Sequence, residues 1–122
     1  MLIHQNMKTL TITVMGSAEV TRRALAAMHG EVQGEIVAFN SAEELFDTLG
    51  GGRWALLHAL LESDKLSVRE LSKKLGRDVK AVHRDATKLR DAGIIEAGED
   101  GRGLFCAFDK VHVDATAARL AA

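Results

Sequence analysis

The sequence of 122 residues predicts an α+β protein in two parts. Apolar and polar residues alternate at positions 10–14, which is the period of a half-buried strand. After three consecutive glycines at 50–52, apolar residues recur at helical spacing in three segments, and a glycine-rich hairpin signal follows. These observations predict a β-α-β-α lobe at residues 1–50, a helical domain with a hairpin at 51–114 and a C-terminal tail at 115–122.

The N-terminal lobe is predicted to contain strand, helix, strand and helix at residues 10–14, 18–29, 35–39 and 42–49. Ser17 is a candidate N-cap of the first helix, and Ser41 with Glu44 has the spacing of a capping box for the second. The second helix is expected to turn Leu45, Phe46 and Leu49 inward. A two-stranded unit leaves open strand edges and a small core, so we expect a homodimer built through this lobe.

The second part begins with a predicted helix at residues 53–63, in which Trp54 is interpreted as a buried anchor of the core. A second helix opens at the capping box of Ser67 and Glu70 and is closed by Gly76. A third helix follows the second after a tight turn. This order is the layout of a helix-turn-helix.

The third helix is predicted to be capped by Asp78 and ended by Gly93, with Val79, Val82, Ala86 and Leu89 on its apolar side. Strands at 94–97 and 104–108 then flank a glycine-rich tip, and residues 111–113 allow a further strand. A hairpin directly after a helix-turn-helix is a wing. The predicted fold class is therefore α+β, a winged helix-turn-helix with three helices and a β-hairpin wing, preceded by the small β-α-β-α lobe.

Charge is distributed unevenly along the chain. The total of 16 basic and 17 acidic residues, net −1, does not indicate a nucleic-acid partner. Residues 67–93, however, hold eight basic and four acidic side chains, net +4, whereas residues 1–52 hold three basic and six acidic ones, net −3. A basic outer face on the third helix fits the major groove of DNA. The alternatives are that these charges only solvate the helix, or that they dock onto an acidic protein.

Several classes of protein are not expected. The start lacks the pattern of a signal peptide, and no segment is long and apolar enough to span a membrane. A single cysteine, Cys106, cannot form an internal disulfide, which indicates a reducing, cytoplasmic location. No catalytic motif is present, so we expect neither an enzyme nor a cofactor. His58, His83, Cys106 and His112 lack metal-ligand spacing, and Cys106 is interpreted as a small buried residue.

Residues 66–95 resemble the winged helix-turn-helix of MarR-like predicted transcriptional regulators of bacteria and archaea. The resemblance is carried by Arg-Trp-x-Leu-Leu at 53–57, Gly-Arg-Asp-Val-Lys-x-Val-His-Arg-Asp at 76–85 and Val-His-Val-Asp at 111–114. It covers residues 52–114, whereas the first fifty residues match only in layout. The resemblance implies a homodimer on a near-palindromic operator, with the third helix reading bases and the wing on the minor groove or backbone. Some winged-helix relatives serve as antitoxins that repress their own operon.

The predicted DNA-binding residues belong mainly to the second and third helices. Base contacts are expected from Lys80, Ala81, His83 and Arg84. Phosphate contacts are expected from Thr87 and Lys88 and, as the resemblance implies, from the Ser67 end of the second helix with Arg69. Arg77 in the turn and Arg102 at the wing tip suit the backbone or minor groove. Asp85 would be repelled by phosphate, so it orients Arg84, accepts from a cytosine amino group or turns away from DNA.

The expected function is therefore sequence-specific binding of double-stranded DNA by a homodimeric transcriptional repressor. The alternatives are a winged-helix protein-interaction module and a DNA-binding antitoxin that also binds a toxin.

Overall fold

The computed structural model describes residues 7–14, 22 and 35–115. Its elements are β1 (Thr9–Val14), β2 (Glu35–Phe39), α1 (Ala42–Leu49), α2 (Arg53–Leu61), α3 (Val68–Leu75), α4 (Val79–Asp91), β3 (Glu96–Ala97), β4 (Leu104–Phe105) and β5 (Lys110–Asp114). The α+β class is confirmed. Of the predicted helix at 18–29 only Arg22, which is helical, is described, and the predicted cap Ser17 and most of the C-terminal tail lie outside the described residues.

β1 is the central strand of a three-stranded sheet with the order β2-β1-β5, and it runs parallel to both neighbours. Ile12 of β1 is fully buried and stands opposite Val37 of β2 and Val113 of β5. The sequence predicted only two strands in this sheet. The third comes from the far end of the chain, because the alternating valines of β5 complete the apolar face that β1 begins.

The helices α2, α3 and α4 pack on one another, and α2 also packs on β4 of the hairpin formed by β3 and β4. Their shared core is made of Leu56, Leu57, Leu60, Leu71, Leu89 and Ile94. An antiparallel bridge between Leu66 and Leu104 ties the α2–α3 connection to β4, with hydrogen bonds of 2.7 and 3.0 Å. No helix within the described ranges is both long and apolar enough to cross a bilayer.

The predicted caps of α3 and α4 are confirmed, whereas the helix predicted at 53–63 ends at Leu61. Ser67 and Glu70 form a complete capping box at the start of α3, with side chain-to-backbone bonds in both directions. Asp78 caps α4 by accepting from the backbone N–H groups of the next turn at 3.0 and 3.3 Å. Gly93 has φ +81, a left-handed conformation that favours glycine, and the following N–H of Ile94 bonds back to Leu89 O at 3.0 Å.

Three predicted core positions are wrong. Phe46 is 59% exposed, Trp54 45% and Val79 40%. At about 100° per residue, Trp54 lies about 120° round the axis from Leu60, on the side of α2 away from its buried leucines. In α1 the buried residues are Leu45, Thr48 and Leu49, which leaves Phe46 off the packed face.

The apolar side of α4 also differs from the prediction, because Val79 lies in the first turn and outside the core. Its buried residues are Val82, Asp85, Ala86 and Leu89. A carboxylate therefore occupies a position in the buried stripe of this helix.

Candidate nucleic-acid interface

The outer surface of α4 brings together four of the predicted DNA-binding residues. Lys80, His83, Arg84 and Thr87 are all exposed. Lys80 and Arg84 are one turn apart on the side opposite Val82 and Leu89, and Thr87 follows in the next turn. The buried stripe of α4 thus determines which polar side chains point outward.

The hairpin lies beside this surface. A cleft of about 120 Å³ separates α4 from the hairpin, lined on the α4 side by His83, Thr87 and Arg90 and on the hairpin side by Gly101 and Gly103. A ligand that contacts Thr87 can therefore also reach the hairpin. Arg90 is an exposed cation on this flank that the sequence prediction omitted, although its helical position places it between the inward and outward faces.

Asp85 is turned inward and is only 3% exposed. Its Oδ1 accepts from Arg53 Nη1 at 2.8 Å, and its Oδ2 accepts from Arg77 Nη2 at 2.7 Å. Burial raises the pKa of Asp85, but the hydrogen bonds from the two arginines outweigh it and hold the pKa below its usual range. Asp85 was expected to orient Arg84, to accept from a cytosine amino group or to turn away. The structure shows the third arrangement, so its carboxylate does not stand among the cations of the outer face.

Arg53 was not predicted as part of this site, and it joins three elements. Besides Asp85 in α4, it donates from Nε to Thr48 O at 2.6 Å and from Nη2 to Asp47 O, both in α1. The position of Asp85 between Val82 and Leu89 was the available signal, since a carboxylate on an apolar stripe needs a buried cation.

Arg77, predicted to contact DNA from the turn, is half-buried because it binds Asp85. Its side chain is 29% exposed, and its Nη1 is buried with no hydrogen-bond partner within the described residues. Gly52 packs over this nitrogen so closely that a Cβ there would lie 2.7 Å from Nη1. The positive charge of Arg77 is therefore directed to the interior of the fold.

Lys88 is also paired. Its Nζ donates to Asp47 Oδ2 in α1 at 2.6 Å, and this hydrogen bond lowers the pKa of Asp47. The Lys88 side chain is 41% exposed, so phosphate can still reach it, but only in competition with Asp47. The predicted phosphate contact thus coincides with a link between α4 and α1.

The remaining predicted contacts lie on α3, on the flank of α4 and at the hairpin tip. The N–H of Ser67 donates to Glu70 Oε1 at 2.8 Å, which lowers the pKa of Glu70 and places a carboxylate where a phosphate contact was predicted. Arg69 and Arg102 are exposed, whereas Ala81 is half-buried.

The hairpin itself carries three carboxylates, from Glu96, Glu99 and Asp100, against the single cation of Arg102. The basic charge of this region is therefore concentrated on the helices, and Arg102 is the one hairpin side chain suited to phosphate.

Cys106 is half-buried rather than fully buried, and its thiol donates to Ile94 O at 3.8 Å. Burial raises the pKa of this thiol, which makes it less reactive. In the part of the chain that the structure describes, no three His, Cys, Asp or Glu side chains converge as metal ligands would.

The family model HVO_A0114 matches residues 48–113, which span α2, α3, α4, the hairpin and most of β5. The matched segment includes Arg53, Arg77 and Asp85 as well as the exposed surface of α4. No curated protein matches the chain. Because the matched segment is more than half of the sequence, the chain belongs to the HVO_A0114 family.

Proposed function

We propose that the protein is a sequence-specific regulator that binds double-stranded DNA and represses transcription, with α4 inserted in the major groove. One observation carries the proposal: α4 exposes Lys80, Arg84 and Thr87 while its central carboxylate, Asp85, is buried against two arginines. A helix surface with cations outside and its acid inside is complementary to the negative groove of DNA.

The order of elements supports a winged helix-turn-helix. Only Gly76, Arg77 and Asp78 separate α3 from α4, and the β3–β4 hairpin follows α4 directly. The bridge between Leu66 and Leu104 anchors the hairpin next to the start of α3. α4 then acts as the recognition helix and the hairpin as the wing.

The groove contacts follow from side-chain chemistry. Arg84 has the planar donor pair that matches O6 and N7 of guanine, and Lys80 lies one turn away, about 6 Å along the axis. Thr87 and the exposed cations Arg69 and Arg102 suit phosphate oxygens on either side. His83 and Ala81 flank Lys80 and Arg84 and limit which bases fit.

The ion pairs of Arg77 and Lys88 reduce the number of phosphates that one protomer neutralises. With Arg69 and Arg102 left for phosphate, the logarithm of the binding constant should fall with log salt with a slope of about −2 per protomer. We therefore expect modest non-specific affinity and a larger dependence on base contacts.

The test begins with selection of binding sites from random duplex DNA by the full chain. On the selected site, Arg84→Ala should lose about 1–3 kcal/mol of discrimination, whereas Arg69→Ala should weaken all sequences about equally. Lys8→Ala removes the same charge from an exposed position beside β1 and is the matched control. The assignment would be refuted if Arg84→Ala bound specific DNA and non-specific DNA with the same affinities as the wild type.

A second candidate is a protein-interaction module whose basic face docks onto an acidic partner, such as a toxin. The pairing of Lys88 with Asp47 and the acidic hairpin favour it, because both lower the attraction for phosphate. This candidate would be supported over the first if no DNA sequence were enriched and if the binding constant for DNA did not change with salt.

Two further parts of the proposal concern the assembly and the compartment. A homodimer would present two copies of α4 to a two-fold operator. A cytoplasmic location agrees with Cys106, which is a free thiol that donates to the backbone carbonyl of Ile94.

A further inference from the structure

β5 forms one edge of the sheet β2-β1-β5, and no other strand of the described residues pairs with its outer side. Val111 and Val113 pack against the core, whereas Lys110, His112 and Asp114 are exposed on the opposite face. The exposed face therefore carries a cation at one end, an acid at the other and an imidazole between them.

The backbone direction of β5 is established by two hydrogen bonds. The N–H of Lys110 donates to Lys8 O at 3.2 Å, and the carbonyl of Asp114 accepts from Thr13 Oγ1 at 3.0 Å. Both groups point toward β1. Since successive residues of a strand direct their N–H and C=O groups to opposite edges, Val111 and Val113 direct theirs outward.

We propose that β5 is the site at which a second copy of this chain adds to the sheet, antiparallel, with His112 of each copy on the two-fold axis. In this register Val111 of one copy stands opposite Val113 of the other, and their outward groups make four hydrogen bonds. Lys110 of one copy stands opposite Asp114 of the other, twice, on the exposed face. The result is a continuous six-stranded sheet.

Charge selects this register. A shift by one residue would pair groups that already face β1 and would exchange the two faces of the strand. A shift by two residues would set His112 against Lys110 or Asp114 and leave one end of each strand unpaired. Only the register centred on His112 pairs all five residues and joins every cation to an acid.

Within residues 7–14 and 35–115, nothing gives this edge the usual protection against such pairing. The chain has no proline, and β5 is a regular five-residue strand that pairs with β1 without a bulge. Lys110 alone would discourage a second strand, but Asp114 makes the edge complementary to itself. The pairing does not require DNA binding, although its two-fold symmetry suits the dimer of the proposed function.

Sedimentation velocity over the micromolar concentration range tests the proposal directly. Lys110→Asp and Asp114→Lys each replace two attractive pairs by two repulsive ones, so the dissociation constant of the dimer should rise about tenfold or more. The double variant Lys110→Asp with Asp114→Lys restores both pairs and should return to the wild-type constant. In an equimolar mixture of the two single variants, opposite charges meet in the heterodimer. The heterodimer should therefore form although each homodimer is weakened.

Val113→Pro examines the backbone contacts separately. Proline removes an N–H that points outward, so the dimer should be lost while the pairing of β5 with β1 is kept. Val113→Thr is the matched control, because it keeps the N–H and the β-branched shape. Circular dichroism and thermal unfolding identify any variant that fails to fold, and the charge variants still decide the question in that case.

A monomeric wild type would overturn the proposal, as would unchanged dimerisation in the single charge variants or failure of the double variant to restore it. The outcome is separate from that of the proposed function. A dimer with this charge dependence that selects no DNA sequence would refute only the function, and a monomer whose Arg84→Ala variant loses discrimination would refute only the interface.

Discussion

Replacement of Asp85 by alanine removes the carboxylate that Arg53 and Arg77 share, and we expect it to lower the free energy of unfolding by about 3–4 kcal/mol. The two hydrogen bonds are short, 2.8 and 2.7 Å, and the Asp85 side chain is 4% exposed. A hydrogen bond to a charged group contributes about 1.5–3 kcal/mol. Two such bonds sum to about 3–6 kcal/mol, and the 29% exposure of Arg77 lets water replace part of its bond, so the expected loss lies in the lower part of this sum, about 3–4 kcal/mol.

The assay is urea unfolding followed by circular dichroism, with Asp91→Ala as the matched control. Asp91 is an acid of the same helix, but it is exposed, so its loss should cost less than about 0.5 kcal/mol. In thermal unfolding the Asp85→Ala change corresponds to a fall in Tm of about 10–15 °C. A cost for Asp85→Ala within about 1 kcal/mol of the Asp91→Ala value would refute the reasoning.

The pH dependence gives an independent check of the electrostatic cause. The pKa of Asp85 is lowered by folding, so its stabilising contribution is complete above the unfolded pKa of about 3.9 and is lost as the pH falls through the folded value. The difference in stability between wild type and Asp85→Asn should therefore be constant from about pH 7 to pH 5 and shrink below about pH 4. A difference that persists unchanged in acid would show that shape, rather than charge, is responsible.

Two further predictions concern the glycine turn and the surface of α2. Gly52→Ala should destabilise the fold by about 1–3 kcal/mol in urea unfolding, because Gly52 has φ +89 and the new Cβ would meet Arg77 Nη1. Gly101→Ala, at φ +75 but in open space, should cost less, and an equal cost would remove the steric explanation. Trp54→Ala should cost less than about 1 kcal/mol, whereas Leu57→Ala, 1% exposed, should cost about 2–5 kcal/mol. Equal losses for these two variants would contradict the rotation of α2 described above.

The features that the sequence predicted correctly are those decided within a few residues. Ser67 with Glu70 begins α3, Asp78 begins α4 and Gly93 ends it. Each does so by contacts within about one turn, so these residue types are sufficient to locate the boundaries. The outward position of Lys80 and Arg84 follows in the same way from the spacing of Val82, Ala86 and Leu89.

Exposure of the aromatic residues could not be predicted from spacing, because the rotation of a helix is decided by what packs against it. The stripe of α2 contains apolar residues on nearly every side, and only its contacts with α3 and α4 select Leu56, Leu57 and Leu60 as the buried set. Trp54 and Phe46 are therefore left at the surface despite their apolar character.

The sequence by itself determined the α+β class, the boundaries of α3 and α4 and the basic outer face of α4, since each depends on local spacing and local hydrogen bonds. The tertiary structure decided the partners of charged groups that are far apart in the chain. Asp85 meets Arg53 across 32 residues, Lys88 meets Asp47 across 41, and β5 joins β1 from the opposite end of the described chain. Long-range pairing depends on how the layers pack, which no local pattern records.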